Sequence, residues 1–127
     1  MGRQLSRIGI VVALGCTGCT AYGGLAWEPD GPVPDGAALE SDRIVLPVGS
    51  TLRIFARLES RTSVVYEDPE ALELVAVDPE IVSVLPDAVE PWRWVLIGRA
   101  RGDSCLDIVV DGEPEDCLPV SAVGVAQ

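Results

Sequence analysis

From residue 43 onward, no segment of this chain keeps a helical period for three turns, which removes most helical folds from consideration. Short runs rich in Val, Ile and Leu alternate instead with Gly, Pro and Asp turn signals. The runs read as strands at 43–48, 51–58, 71–77, 81–85, 92–99, 105–110 and 118–125, with a further short strand at 62–66. In 51–58, Leu52, Ile54, Ala56 and Leu58 fall on one face, and Arg53 and Arg57 on the other. Phe55 breaks the pattern as an apolar residue on the polar face. In 81–85, Ile81, Ser83 and Leu85 lie opposite Val82 and Val84. Short strands with turns roughly every 8–12 residues predict an all-β sandwich or barrel.

The first 19 residues have a different plan. Arg3 and Arg7 make a positive start, Ile8 to Leu14 an apolar stretch, and Gly15-Cys16-Thr17-Gly18-Cys19 a small-residue site. This is the layout of a secretory signal. The apolar stretch is too short to span a bilayer, which takes about 20 residues. Arg3 and Arg7 are not adjacent, so the twin-arginine pattern is absent. The site ends in cysteine and resembles a bacterial lipoprotein signal, in which that cysteine is lipidated and becomes the new N-terminus. Cys19 is the preferred lipid site and Cys16 the alternative. A cut before Cys19 leaves one lipidated cysteine and two free to pair; a cut before Cys16 strands an odd thiol. Thr20 follows Cys19, where the family's inner-membrane retention signal is an Asp. The resemblance therefore implies a lipid anchor in the bacterial outer membrane, on its periplasmic or surface side.

Removal of residues 1–18 leaves 109 residues, one domain at most. The whole chain has 9 basic and 20 acidic residues, and loss of Arg3 and Arg7 shifts the net charge from −11 to −13. Every basic residue is Arg, and there is no Lys or His. So acidic a surface disfavours nucleic acid and anionic lipid heads, both polyanions. Residues 19–39 carry the lipidated N-terminus and a Pro/Gly-rich stretch. Pro29-Asp-Gly-Pro32 and Pro34-Asp-Gly36 mark turns there, so the segment reads as a flexible tether. Trp27 stands out within it, either docked on the domain or at the bilayer interface. Residues 40–127 form the folded domain.

Within that domain, Leu46-Pro-Val-Gly49 and the alternating strand after it resemble the opening of bacterial Ig-like group 2 domains. Val77-Asp78-Pro79-Glu80-Ile81-Val82-Ser83-Val84 is similar to their Asp-Pro-x-Val-Ala-x-Val segment. Gly98-Arg-Ala-Arg-Gly102, running on to Ile108, is similar to their glycine turn and following strand, and 120–125 to their closing strand. The resemblance covers about residues 44–125 and implies an Ig-like β-sandwich of about seven short strands. It departs at Leu74, where the family often places a core Trp. Trp92 or Trp94 is then expected to fill the core.

The same residues carry a physical reading of their own. Gly49 permits a sharp turn, Gly98 and Gly102 bracket another, and Pro79 ends a strand. With Leu106, Ile108, Leu118 and Val120 facing in, Cys105 and Cys117 both face out, on strands joined by 111–115. A disulfide between Cys105 and Cys117 is expected; free thiols or a metal pair are the alternatives. Without His or further cysteines a zinc site lacks ligands, and no metal or other cofactor is expected.

Three further features invite a functional reading. Arg101-Gly102-Asp103 matches an integrin-binding tripeptide, a short match on a glycine already needed for a turn. Asp111-Gly-Glu113-Pro-Glu115-Asp116 is an acidic tip without the spacing of an EF-hand calcium loop. Trp92 and Trp94 share a strand face, either as core or as an exposed aromatic platform. No His is present to act as a base near neutral pH, and no carboxylate pair has an apolar setting. The expectation is a lipid-anchored, non-catalytic envelope protein with a structural or protein-binding module. The alternative is an envelope-glycan-binding module that uses Trp92 and Trp94.

Overall fold

Leu52, Ile54, Ala56 and Leu58 are buried and alternate with exposed or half-buried residues along one long strand. A computed structural model describes residues 21–124 and places this strand in the first of two sheets. That sheet runs β1 (Tyr22–Pro29), β4 (Thr51–Ser60), β7 (Arg93–Gly98), β6 (Val82–Pro86), with every pairing antiparallel. The second runs β2 (Ala38–Glu40), β3 (Arg43–Pro47), β9 (Glu113–Val123), β8 (Gly102–Val110), β5 (Leu72–Ala76). Only β3 and β9 pair in parallel there. Ile44, Leu46, Leu106 and Val120 of the second sheet, and Leu52, Ile54, Val82 and Leu96 of the first, are almost fully buried. Facing layers of this kind are the core of a sandwich. The architecture is the all-β, Ig-like sandwich expected from the sequence.

Among the described residues nine strands are present where about seven were expected, and the two extra ones come from the segment read as tether. Residues 22–29 form β1 and residues 38–40 form β2, so the tether reading of 19–39 is corrected over these positions. Leu25 and Trp27 stand opposite Leu58 and Ala56 of β4 and pack against the core. Trp27 thus docks on the domain. Turn residues at 29–36 masked a short strand on either side. The signal peptide at 1–18 and both candidate lipid sites, Cys16 and Cys19, lie outside the described residues.

Three local expectations also change. No strand forms at 62–66. The Ser60 hydroxyl accepts from the Thr62 amide, and the Thr62 hydroxyl from the Val64 amide, both at 3.1 Å. Local bonds of this kind take donors that a ladder would use. Trp92 lies before β7 in a left-handed conformation, φ 64°, so the strand starts at Arg93. The loop expected over 111–115 is a two-residue Asp111-Gly112 turn with φ of 50° and 85°. Positive φ at both central positions matches the twist of a tight hairpin, and Asp-Gly suits it. The rest of the expected loop joins β9, with a bulge near Ile108 and Val109.

Candidate functional site

On one side of the sandwich the two sheets end in β5 and β6, and among the described residues no strand continues either of them. An open groove of about 810 Å³ runs between these edges. Leu72, Leu74, Trp92 and Trp94 line it, all largely buried. Leu85 and Val89 also line it and remain 52% and 84% exposed. Large apolar side chains at a concave edge are the usual material of a binding groove.

The backbone at this edge is unevenly used. The Val77 amide donates to the Cys105 carbonyl at 3.0 Å, and the Asp111 amide to the Ala71 carbonyl at 2.8 Å. Antiparallel ladders alternate, so the odd-numbered residues of β5 bond to β8. Leu74 and Ala76 then turn their N–H and C=O groups away from the sheet. In β6, the bonds from Arg99 to Ile81 and from Asp87 to Arg93 set the same parity. Val84 and Pro86 point outward there, and proline has no N–H to give.

Four carboxylates also line the groove: Glu70, Glu73, Asp87 and Glu90. Asp87 is the best held of them. Its Oδ1 accepts from the amides of Val89 and Glu90, each at 2.8 Å, and its Oδ2 lies 3.1 Å from Arg53. The amides of Glu90 and Val89, aided by Arg53, hold this carboxyl below its ordinary range. The single cation in the lining, Arg93, donates from Nε to Asp30 at 2.9 Å and lies 3.8 Å from Glu90. Glu70 and Glu73 have no ion pair among the described residues.

Trp92 and Trp94 are 9% and 5% exposed, so both are core residues that also line the groove. Burial removes the aromatic platform on which the glycan-binding alternative rested. The guanidinium of Arg93 lies 4.8 Å from the centroid of Phe55, which explains an apolar residue on a polar face. Cys105 and Cys117 are joined by a disulfide on the outer side of β8 and β9, with Cα atoms 5.8 Å apart. Cys105 stands opposite Pro119, and Cys117 opposite Asp107, so the link is diagonal across the pair.

The remaining motifs are scattered. Gly102 and Asp103 belong to β8, and the Ser121 hydroxyl donates to the Asp103 carboxylate at 2.7 Å. Arg101-Gly102-Asp103 is therefore not a projecting loop. No group of three or more metal-ligating side chains occurs among the described residues, so the acidic tip at 111–116 does not gather into one site. Sequence reasoning missed the β5 edge, the acidic rim and the Asp30–Arg93 and Arg53–Asp87 pairs. The alternation of Arg53 and Arg57 was the one available hint of an ordered polar face.

No family model matches the chain. No curated protein matches it either. Solved structures do match in fold. Domains 5–6 of the S-layer protein SbsC superpose with a TM-score of 0.53 at 18% identity, over 79% of this chain and 47% of that one. A longer S-layer fragment, rSbsC(31-844), gives a TM-score of 0.51 at 18% identity, over 79% of this chain and 14% of that one. The chain thus spans about half the length of the two-domain fragment. At this identity the likeness extends to the sandwich fold.

Proposed function

We propose that this chain is a non-catalytic, Ig-like module of the bacterial cell envelope, held by a lipid on Cys19 and acting through protein contacts. The observation that carries the reading is the open β5–β6 side of the sandwich, where a free strand edge borders an apolar groove. Such an edge takes another polypeptide through main-chain bonds and side-chain pockets. Support for the location comes from the lipoprotein-like start of the chain and from the fold shared with S-layer protein domains. The catalytic alternative has no His to work with, and Asp87 is committed to two amides and an arginine.

The test is in-cell photocrosslinking from a probe at Val89, at the exposed rim of the groove, compared with a probe at Val33 on another surface. The reading expects protein adducts in the envelope fraction from position 89. Adducts equal from both positions, or recovered only in the cytosol, contradict it.

A further inference from the structure

Among the described residues the sandwich has four strand edges, and three are blunted in ways that natural sheets use against stray pairing. β1 has a register irregularity near Tyr22 and Gly24 and ends in Pro29. β2 is three residues long. β6 ends in Pro86, which leaves its outer side the amide of Val84 alone, since the Val82 amide bonds to the Asp78 carbonyl at 3.2 Å. β5 has none of these devices. Leu72–Ala76 contains no proline and pairs with β8 without a break in register. Its outer side presents the amides of Leu74 and Ala76 and the carbonyls of Leu72, Leu74 and Ala76; the Leu72 amide already bonds to the Pro69 carbonyl. This open edge is also the one that borders the groove.

Charge decides what fits. Glu70 and Glu73 line the groove without an ion pair, while Arg93 is engaged by Asp30. The whole chain carries −11. A second copy set on this edge would bring a second acidic rim against the first, and like charges held close are repelled. A cationic segment gains where another acidic copy loses. We infer that the β5 edge receives an extended segment of a partner protein, with basic side chains among apolar ones, as a sixth strand of the second sheet. This rests on the protein-binding reading above and specifies the partner's chemistry. The segment's ladder partners are Leu74 and Ala76. Alternate apolar side chains enter the groove over Leu74 and Trp94, and its cations meet Glu70 and Glu73.

The probe is a blocked synthetic peptide of alternating Val and Lys, with a Val/Glu peptide as control. Amide hydrogen exchange is followed residue by residue on the purified full chain in a neutral detergent. The Val/Lys peptide should slow exchange at Leu74 and Ala76 by at least about tenfold, as expected when free edge amides enter a ladder. It should leave the Val84 amide unchanged, and the Val/Glu peptide should have no effect. The exposed charge reversal E70K/E73K should exchange the preference of the two peptides. Unchanged exchange at Leu74 and Ala76, or equal slowing by both peptides, overturns the inference. So does protection of these amides without peptide, together with a dimer in sedimentation. The measurement does not depend on where the protein resides, so its failure and failure of the envelope reading are distinguishable.

Discussion

The guanidinium of Arg57 lies 5.1 Å from the centroid of the Trp92 ring. The Ala56 amide, one residue earlier, donates to the Trp92 carbonyl at 2.9 Å. Arg57 also reaches the Tyr66 carbonyl from Nη2 at 3.3 Å. Two buried aromatic residues from separate loops are thus tied to the end of β4 by one arginine. Trp92 is held there by the cation–π contact and a left-handed backbone, while Trp94 stands in β7 opposite Ile54, and both line the groove.

Burial sets the consequences of losing these rings. Trp94→Ala should cost about 3–5 kcal/mol, the range for large-to-small core changes. Urea unfolding of the variant measures this. Iodide should quench Trp92 and Trp94 weakly and Trp27 more strongly, since Trp27 is only partly buried. A near-neutral Trp94→Ala contradicts the assigned core.

The disulfide closes a separation of 12 residues between adjacent strands. Loop-closure entropy makes a bridge of that size worth about 3 kcal/mol at most. Reduction should lower the thermal midpoint and leave the β-type circular dichroism in place, because the hairpin keeps its ladder and its Asp111-Gly112 turn. Alkylation of both thiols in the unreduced, folded protein contradicts the pairing.

Gly98 is needed for close approach rather than for a special φ. A Cβ placed there would come 2.7 Å from the Pro47 carbonyl oxygen, where the two sheets meet at the end of β7. Backbone cannot yield as a flexible side chain does, so Gly98→Ala should destabilise by about 1–3 kcal/mol, the scale of overpacking. Gly112→Ala is destabilising for a different reason, its φ of 85° in open space. Restoring Gly98→Ala with a smaller neighbour should fail, since the clash is with main chain. Wild-type stability of Gly98→Ala contradicts the close packing.

Tyr22 links the sheets, its hydroxyl 3.3 Å from Asp116. Partial burial, with the nearby Asp116 carboxylate, pushes its pKa up from 10.0 to about 12. The folded state therefore holds the neutral phenol more firmly than the unfolded chain does. The resulting stability is fully present below about pH 10, the unfolded value, and is lost as pH rises through about 12. The difference in ultraviolet titration between wild type and Tyr22→Phe should show a phenol with a midpoint near 12. A midpoint at the ordinary value contradicts the setting.

The fold was legible where side chains obey a period. The alternation of Leu52, Ile54, Ala56 and Leu58, and of Leu106 and Ile108 against Leu118 and Val120, carried the sandwich and placed Cys105 beside Cys117. It was hidden where local chemistry and tertiary packing compete. Turn residues around Pro29 and Pro34 obscured β1 and β2, although Leu25 and Trp27 already alternate. Hydroxyl-to-backbone bonds at Ser60 and Thr62 broke a segment with strand-like composition. The candidate groove was not legible at all, because it depends on sheet order. Nothing local in Leu72–Ala76 says that β8 lies on one side and no strand on the other.

The most direct test of the account as a whole is flotation of the full chain with envelope membranes, comparing wild type, Cys19→Ser and Cys16→Ser. Wild type and Cys16→Ser should float with the outer-membrane fraction, and Cys19→Ser should accumulate uncleaved or be released in soluble form. Flotation of Cys19→Ser together with loss of Cys16→Ser would move the lipid to Cys16. A wild-type chain that stays wholly soluble would contradict the anchored-module account itself.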